Sequence, residues 1–198
     1  MDPTSAPTTT AITAQFLDDL AAAPSADEAL RRIDLRRSLI APGSIFSIQQ
    51  NVTTARDASG EILLRRFYSS EAGTFPVNGA KRKTMTRWTE CLFVHGQIFV
   101  GEGADVLART FDDYEQMRAC NLRSVVNVPM MQGALCYATF NVFGTRAHWQ
   151  QEEILGIRLL ALAAARWVPS VPGLDYRFPA AAPHPARELD SVLSMRMN

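Results

Sequence analysis

Apolar and polar residues alternate with two different periods in the first third of the chain, and the periods predict helices followed by strands. Residues 11–23 carry apolar residues at helical spacing, and a second helical pattern starts after Ser25. Glu28 stands three positions beyond Ser25, which is the spacing of a capping box. Residues 44–52 and 61–68 are rich in isoleucine, leucine and phenylalanine, and turn-forming residues separate them. These two runs predict a β-hairpin.

The rest of the chain predicts further short elements and one long helix. The predicted elements are a loop over 69–84, a short helix over 86–94, a strand over 97–100, one or two short helices over 104–121, strands over 123–131 and 135–143, and a long helix over 149–168. Tight turns between consecutive strands make them antiparallel neighbours. The order therefore predicts an α+β fold with a central antiparallel sheet.

The chain divides by composition into three parts. Residues 1–10 are rich in proline and threonine, which predicts a disordered leader. Residues 11–168 carry the periodic patterns, have the length of one domain and contain no internal repeat. Residues 169–198 are interrupted by prolines and predict a tail that runs over the surface. We expect one domain over 11–168 with a leader and a tail.

Charge and cysteine content exclude several classes of protein. The formal net charge is zero and the pI is about 6.8, so the excess of basic residues typical of a nucleic-acid binder is missing. The sequence has no apolar run long enough to span a bilayer and no signal-peptide pattern at its start. Three cysteines, an odd number, argue against a disulfide framework. We expect a cytoplasmic protein that binds neither nucleic acid nor membrane.

Two consecutive segments carry a resemblance to a known family. They read RSVVNVP at 123–129 and GALCYATFNVF at 133–143, and the segment WQQEE at 149–153 then opens the long helix. A serine-containing strand ending in proline, a glycine turn, a strand of small and apolar residues and a terminal helix resemble a GAF domain. The resemblance extends over roughly 26–168. Ala138 departs from it, because glycine is expected at that position.

The resemblance implies a sheet of about six antiparallel strands with the first and last helices on one face. On the other face it implies short helices and loops that roof a small-molecule pocket. GAF-like proteins bind ligands as different as cyclic nucleotides, tetrapyrroles, haem, amino acids and small anions, so the fold alone selects no ligand or cofactor. Many form homodimers through their terminal helices, and Trp167 with the apolar stripe around Leu160 is the seam expected here.

Alternation along the last strand predicts the floor of such a pocket. Tyr137, Thr139 and Asn141 share one face, opposite Cys136, and Asn127 lies nearby on the preceding strand. Hydroxyl and carboxamide groups on a buried face need partners, and a small polar ligand would supply them. The alternative is that these groups face solvent or bind loop backbone.

The predicted roof adds Trp88 and Asp113, and aromatic rings beside a few polar groups are typical of small-molecule sites. Core filling is the alternative for Trp88. The candidate ligand-binding residues are therefore Trp88, Asp113, Asn127, Tyr137, Thr139 and Asn141. Lys81, Arg82 and Lys83 precede the roof, where they either steer an anion or keep a loop soluble.

Cysteine and histidine positions support a weaker alternative. Cys91 and Cys120 are the only plausible pair for thiol chemistry, as in the free methionine sulfoxide reductases that share the GAF fold. Their spacing does not match that branch, and inert buried thiols are the default. The three histidines lie far apart, so no metal site is indicated.

The hypothesis is a sensor-type domain that binds a small polar metabolite and acts through a homodimer or a partner protein, and a binding role is favoured over an enzymatic one. The alternatives are the thiol-dependent reductase and a purely structural dimer.

Overall fold

A computed structural model describes residues 12–178, and its centre is a single sheet. The strands are β1 (Ile45–Asn51), β2 (Glu61–Ser69), β3 (Ala80–Thr84), β4 (Phe99–Glu102), β5 (Ser124–Gln132) and β6 (Leu135–Gly144). They form a 6-stranded sheet in the order β3-β2-β1-β6-β5-β4, and every neighbouring pair is antiparallel. The predicted α+β fold with about six antiparallel strands is confirmed.

Helices of three kinds surround the sheet. The α-helices are α1 (Ala14–Ala21), α2 (Ala26–Ile40), α3 (Arg87–Thr89), α4 (Ala104–Thr110), α5 (Tyr114–Ala119) and α6 (Gln151–Ala164). A π-helical turn, Glu90–Val94, continues α3, and a 3-10 turn follows α6. The predicted cap of α2 is present, since Ser25 Oγ accepts a hydrogen bond of 3.2 Å from the backbone N–H of Glu28.

The two faces of the sheet are buried by different helices. The long helices α2 and α6, together with α1, cover one face, where Ile33, Leu160 and the sheet residue Phe140 are fully buried. The short helices cover the other face, where Leu92 and Leu107 are fully buried. The apolar stripes of the long helices explain this arrangement, because each stripe must pack on an apolar sheet face.

Strand β3 was not expected, because residues 80–84 fall within the predicted loop over 69–84. Their sequence is AKRKT, so the period of two is carried by charged side chains instead of apolar ones. Lysines are common on edge strands, where they prevent pairing with another chain. Lys81 and Lys83 share the face that is turned towards the roof, and Arg82 is exposed.

A β-bulge changes which residues of β6 share a face. Met130 pairs with Ala138 and Met131 pairs with Cys136, so Tyr137 is the extra residue. Cys136 therefore lies under the short helices, while the Tyr137 hydroxyl reaches the long-helix side and donates to the carbonyl of Ala165 at 3.3 Å. The expectation that Tyr137 shares a face with Thr139 and Asn141 is wrong for this reason.

The first part of the proline-rich segment packs against the domain. The side chain of Gln50 donates to the carbonyl of Pro169 at 2.7 Å, and Leu174 forms a β-bridge with Thr54. The Tyr176 hydroxyl accepts from the backbone N–H of Cys136 at 2.8 Å and donates to the carbonyl of Phe93 at 2.9 Å. Residues 169–178 thus contact the sheet and the π-helical turn. The predicted leader over 1–10 and the rest of the tail lie outside the described residues.

Gly144, the last residue of β6, provides a test of the packing. A Cβ atom there would lie 2.9 Å from Ser124 Oγ and 2.9 Å from an atom of the Trp149 ring. We expect Gly144→Ala to lower the free energy of unfolding by about 1–2 kcal/mol, because both neighbours are buried and must shift. Urea denaturation followed by circular dichroism measures the effect. Gly73→Ala is the control, since no atom lies within 4 Å of its added Cβ.

Within residues 12–178, no helix combines the length and the apolar character that crossing a bilayer requires.

Candidate ligand-binding site

A small cavity lies between one face of the sheet and the short helices and loops that cover this face, which form the roof of the cavity. Its free volume is about 40 Å³, which is room for two or three water molecules. The residues that line it are Ile45, Ser47, Gln49, Arg66, Ser69, Phe75, Lys81, Lys83, Trp88, Phe111, Asp113, Met117, Leu122 and Phe143. Aromatic and aliphatic side chains thus surround a small number of polar and charged groups, as in typical small-molecule sites.

Strands β1 and β2 supply the polar floor. Ser47 and Gln49 project from β1, and Arg66 and Ser69 project from the neighbouring positions on β2. Ser47 pairs with Ser69 and Gln49 pairs with Arg66, which leaves Phe67 as the extra residue of a β-bulge. The bulge allows Arg66 and Ser69, three positions apart, to face the same cavity.

Two ion pairs connect β3 to the roof. Lys81 Nζ lies 2.6 Å from Asp113 Oδ2, and Lys83 Nζ is hydrogen-bonded to Asp112. The hydrogen bond and charge of Lys83 lower the pKa of Asp112, although this carboxylate is largely exposed. These contacts hold the start of α5 over the edge strand, so the lysines on β3 help to position the roof.

Arg66 differs from the lysines because it has no carboxylate partner among the described residues. Its Nη1 donates to the carbonyl of Pro76 at 3.2 Å, and the ring of Phe75 lies 5.5 Å from the guanidinium carbon. Its Nε is buried and has no hydrogen-bond acceptor within the described chain. Burial lowers the pKa of Arg66, and the charge of Asp113 partly opposes that effect.

Trp88 separates the cavity from a buried chain of carboxamide groups. Its indole N–H donates to Asn127 Oδ1 at 2.9 Å, and Asn127 Nδ2 donates to Asn141 Oδ1 at 2.7 Å. Asn141 Nδ2 then donates to the carbonyl of Thr139 at 3.2 Å. The order of donors and acceptors in these hydrogen bonds follows from the indole N–H, which can only donate. Asn127 must therefore present its oxygen to Trp88.

Thr139, whose carbonyl ends this series of hydrogen bonds, has an unsatisfied side chain. Its hydroxyl is buried and has no partner among the described residues. On the neighbouring strands it is paired with Pro129 and Gln49, and Pro129 has no backbone N–H to offer.

Solved structures with a similar fold include several GAF domains. The GAF domain of a phosphoenolpyruvate-protein phosphotransferase from Coxiella burnetii has a TM-score of 0.55 at 15% identity, covering 77% of this chain and 88% of that one. The GAF domain of a two-component sensor histidine kinase from Bacillus halodurans has a TM-score of 0.55 at 12% identity, covering 72% and 94%. The chain has the GAF-domain fold.

A third similar structure is part of a phytochrome. The chromophore-binding domain of Stigmatella aurantiaca phytochrome P1 has a TM-score of 0.57 at 9% identity, covering 85% of this chain and 63% of that one. No protein-family model matches the sequence, and a comparison with curated proteins finds no match. At these identities the likeness is one of fold, and it assigns no ligand to this chain.

Only two of the six residues predicted to bind ligand line this cavity. These are Trp88 and Asp113. Asn127, Thr139 and Asn141 lie on the predicted sheet face but are covered, and the two asparagines are hydrogen-bonded within the protein. Tyr137 points to the opposite face. The hydrogen bonds of the two asparagines thus run to Trp88, to each other and to a strand carbonyl, so these side chains neither face solvent nor bind loop backbone.

Sequence reasoning missed the residues of β1 and β2 that face the cavity. Ser47, Gln49, Arg66 and Ser69 belong to the predicted hairpin, but no resemblance or motif singled them out. For β3, the spacing of Lys81 and Lys83 could have indicated a strand with both lysines on one face, because residues two apart in an extended segment share a face.

The cysteines are not arranged around the cavity. The Cys91 thiol donates to the carbonyl of Ile98 at 3.3 Å, and burial raises its pKa, the opposite of what a reactive thiolate requires. Burial also raises the pKa of Cys136 to about 12. Cys91 and Cys120 are free thiols, and neither lines the cavity.

Within residues 12–178 no group of three or more histidine, cysteine, aspartate and glutamate residues is arranged to hold a metal ion.

Proposed function

We propose that this GAF domain is a sensory module that binds a small polar metabolite in the cavity and transmits its occupancy through a homodimer. The observation that carries the proposal is the lining of the cavity, where four polar strand residues lie beneath the aromatic roof formed by Trp88 and Phe111. Neighbours with the same fold include a domain of a sensor histidine kinase, which fits a sensory role.

The small free volume limits the ligand. About 40 Å³ does not admit a nucleotide or a tetrapyrrole unless the roof moves. A ligand of a few heavy atoms fits with only small side-chain shifts, and it would find hydroxyl, carboxamide and charged groups to bind. We therefore propose a small polar metabolite and assign no cofactor.

Exposed leucines support the homodimer. Leu35 and Leu39 are exposed on α2, and Leu155, Leu159 and Leu162 are exposed on α6, which packs beside α2. Spacings of three and four place each set on one side of its helix. Exposed apolar rows of this kind typically mark an interface. The seam that we propose differs from the expected one, because Leu160 is fully buried in the core.

Thiol chemistry has less support. A thiol-dependent reductase needs an accessible thiolate near its substrate, whereas the Cys91 pKa is raised and neither Cys91 nor Cys120 lines the cavity. The three free cysteines fit the cytoplasmic location that we propose.

Ligand binding is tested with a set of small polar metabolites that includes neutral, zwitterionic and anionic compounds, using ligand-detected NMR. We expect at least one compound to bind, and we expect Ser47→Val to weaken it by about tenfold or more. The two added methyl groups replace a hydroxyl on the cavity floor and occupy its free volume. Thr84→Val on the exposed side of β3 is the control. Equal binding by wild type and Ser47→Val, or no binding by any compound, would contradict the proposal.

A further inference from the structure

The cavity contains one positive charge more than its negative charges can neutralise. Arg66, Lys81 and Lys83 line it on the basic side, and the acidic partners within reach are Asp113 and Asp112. Each aspartate is paired with a lysine. Arg66 remains protonated at neutral pH and has no ion-pair partner among residues 12–178.

Arg66 is half-buried, and an almost fully buried arginine elsewhere in the chain has a very different environment. Arg37 is almost fully buried, and its guanidinium donates to Asp34, to the carbonyl of Ser44 at 2.7 Å and to Ser44 Oγ at 2.9 Å. Its charge is balanced and its donors are satisfied, as a structural role requires. Arg66 has one carbonyl acceptor, on Nη1, and its Nε is buried without one.

The free donors of Arg66 have the geometry of an anion site. Nη1 is occupied by Pro76, which leaves Nε and Nη2 on one edge of the guanidinium. These two groups donate in parallel and match the two oxygens of a carboxylate. We propose that the cavity binds a small organic carboxylate whose carboxylate group pairs side-on with Nε and Nη2 of Arg66. The inference rests on the proposed function and names its ligand class.

The surroundings of Arg66 favour a carboxylate over a phosphate. A single unpaired cation balances a monoanion, whereas a phosphate dianion would leave a buried negative charge. The serine hydroxyls of Ser47 and Ser69 and the carboxamide of Gln49 remain for a polar group on the far end of the ligand. The ring of Phe75 covers the guanidinium, and Nε is closed to solvent. The Phe75 ring must therefore shift as the carboxylate enters.

NMR titration of the labelled full chain with acetate, pyruvate, acetamide and inorganic phosphate, at constant ionic strength in chloride, tests the inference. We expect acetate and pyruvate to shift the Arg66 Nε–H and Trp88 indole N–H signals saturably. Acetamide has the shape of acetate without its charge, so it should produce no saturable shift. Phosphate should bind at least about tenfold more weakly than pyruvate.

Three variants complete the test. Arg66→Gln should weaken pyruvate binding, measured on the Trp88 signal, by at least about tenfold, and Arg66→Lys should weaken it less because it keeps the charge and loses the paired donors. Arg65→Gln removes one charge from the adjacent, exposed position and should bind as wild type does. Circular dichroism verifies that each variant is folded.

Four results would overturn the inference: saturable binding of acetamide equal to that of acetate, tighter binding of phosphate, pyruvate binding by Arg66→Gln within about twofold of wild type, or no saturable shift with either carboxylate. The proposed function fails separately, because its test also includes neutral metabolites, which carry no carboxylate, and the variant Ser47→Val. If neutral ligands bind and their binding requires Ser47, the proposed binding function stands and the proposed preference for carboxylates is wrong.

Discussion

Replacing Asn127 by alanine is expected to lower the free energy of unfolding by about 3 kcal/mol. The change removes the acceptor of the Trp88 indole N–H and the donor to Asn141, and both of these partners are buried. A buried polar group that loses its partner costs about 1–3 kcal/mol. The cavity left by the carboxamide adds to the loss. Urea denaturation followed by circular dichroism and by tryptophan fluorescence measures the change.

A double-mutant cycle with Trp88→Phe attributes part of this loss to the Trp88–Asn127 hydrogen bond. Phenylalanine removes the indole N–H, so Asn127→Ala should cost about 1–2 kcal/mol less in the Trp88→Phe background than in the wild type. Gln132→Ala, at the exposed end of β5, should change stability by less than about 0.5 kcal/mol. A loss below about 1 kcal/mol for Asn127→Ala would show that water replaces the missing groups.

The hydrogen-bonded carboxamides of Asn127 and Asn141 lie next to the cavity and contact one of its walls, Trp88. Trp88 connects the carboxamides to the cavity, since its indole N–H binds Asn127 below while its ring lines the cavity above. The asparagines thereby fix the orientation of the ring, and the ring in turn closes one wall of the cavity. Variants of Asn127 and Asn141 should therefore act on ligand binding through the position of Trp88, without contacting the ligand.

The order of elements could be predicted from the sequence because periodicity reports which face of an element is buried. The runs at 44–52, 61–68, 123–131 and 135–143 became β1, β2, β5 and β6, and the long apolar stripe became α6. Ser25 marked the start of α2 because capping is a local property of a few residues.

The candidate site could be predicted only in part, because two β-bulges change the side-chain alternation. An extra residue at Tyr137 moves that side chain to the long-helix face, and an extra residue at Phe67 brings Arg66 and Ser69 to the same face. A regular period of two cannot reveal such a shift. Whether Asn127 and Asn141 bind a ligand or each other depends on the tertiary position of Trp88, which no local pattern contains.

Replacing Leu159 by glutamate is expected to separate the proposed homodimer into monomers. Leu159 is 43% exposed on α6, between Leu155 and Leu162 of the same outward row. In a dimer built on this row a carboxylate would be buried without a partner, which opposes association strongly. We expect the dimer to weaken by at least about 100-fold, or about 3 kcal/mol. Size-exclusion chromatography with light scattering should then give the monomer mass of 21.9 kDa.

Val77→Glu is the matched control for that substitution, because Val77 is 41% exposed and belongs to the loop between β2 and β3, outside both long helices. It should keep the mass of a dimer. Because Leu159 lies on the solvent side of α6, its replacement should leave the fold and the cavity intact, and binding to the isolated monomer should persist. A wild-type protein that elutes with the monomer mass, or a Leu159→Glu variant that remains dimeric, would contradict the proposal that a dimer formed by these helices transmits ligand occupancy. Loss of ligand binding together with the dimer would instead mean that the cavity depends on the second subunit.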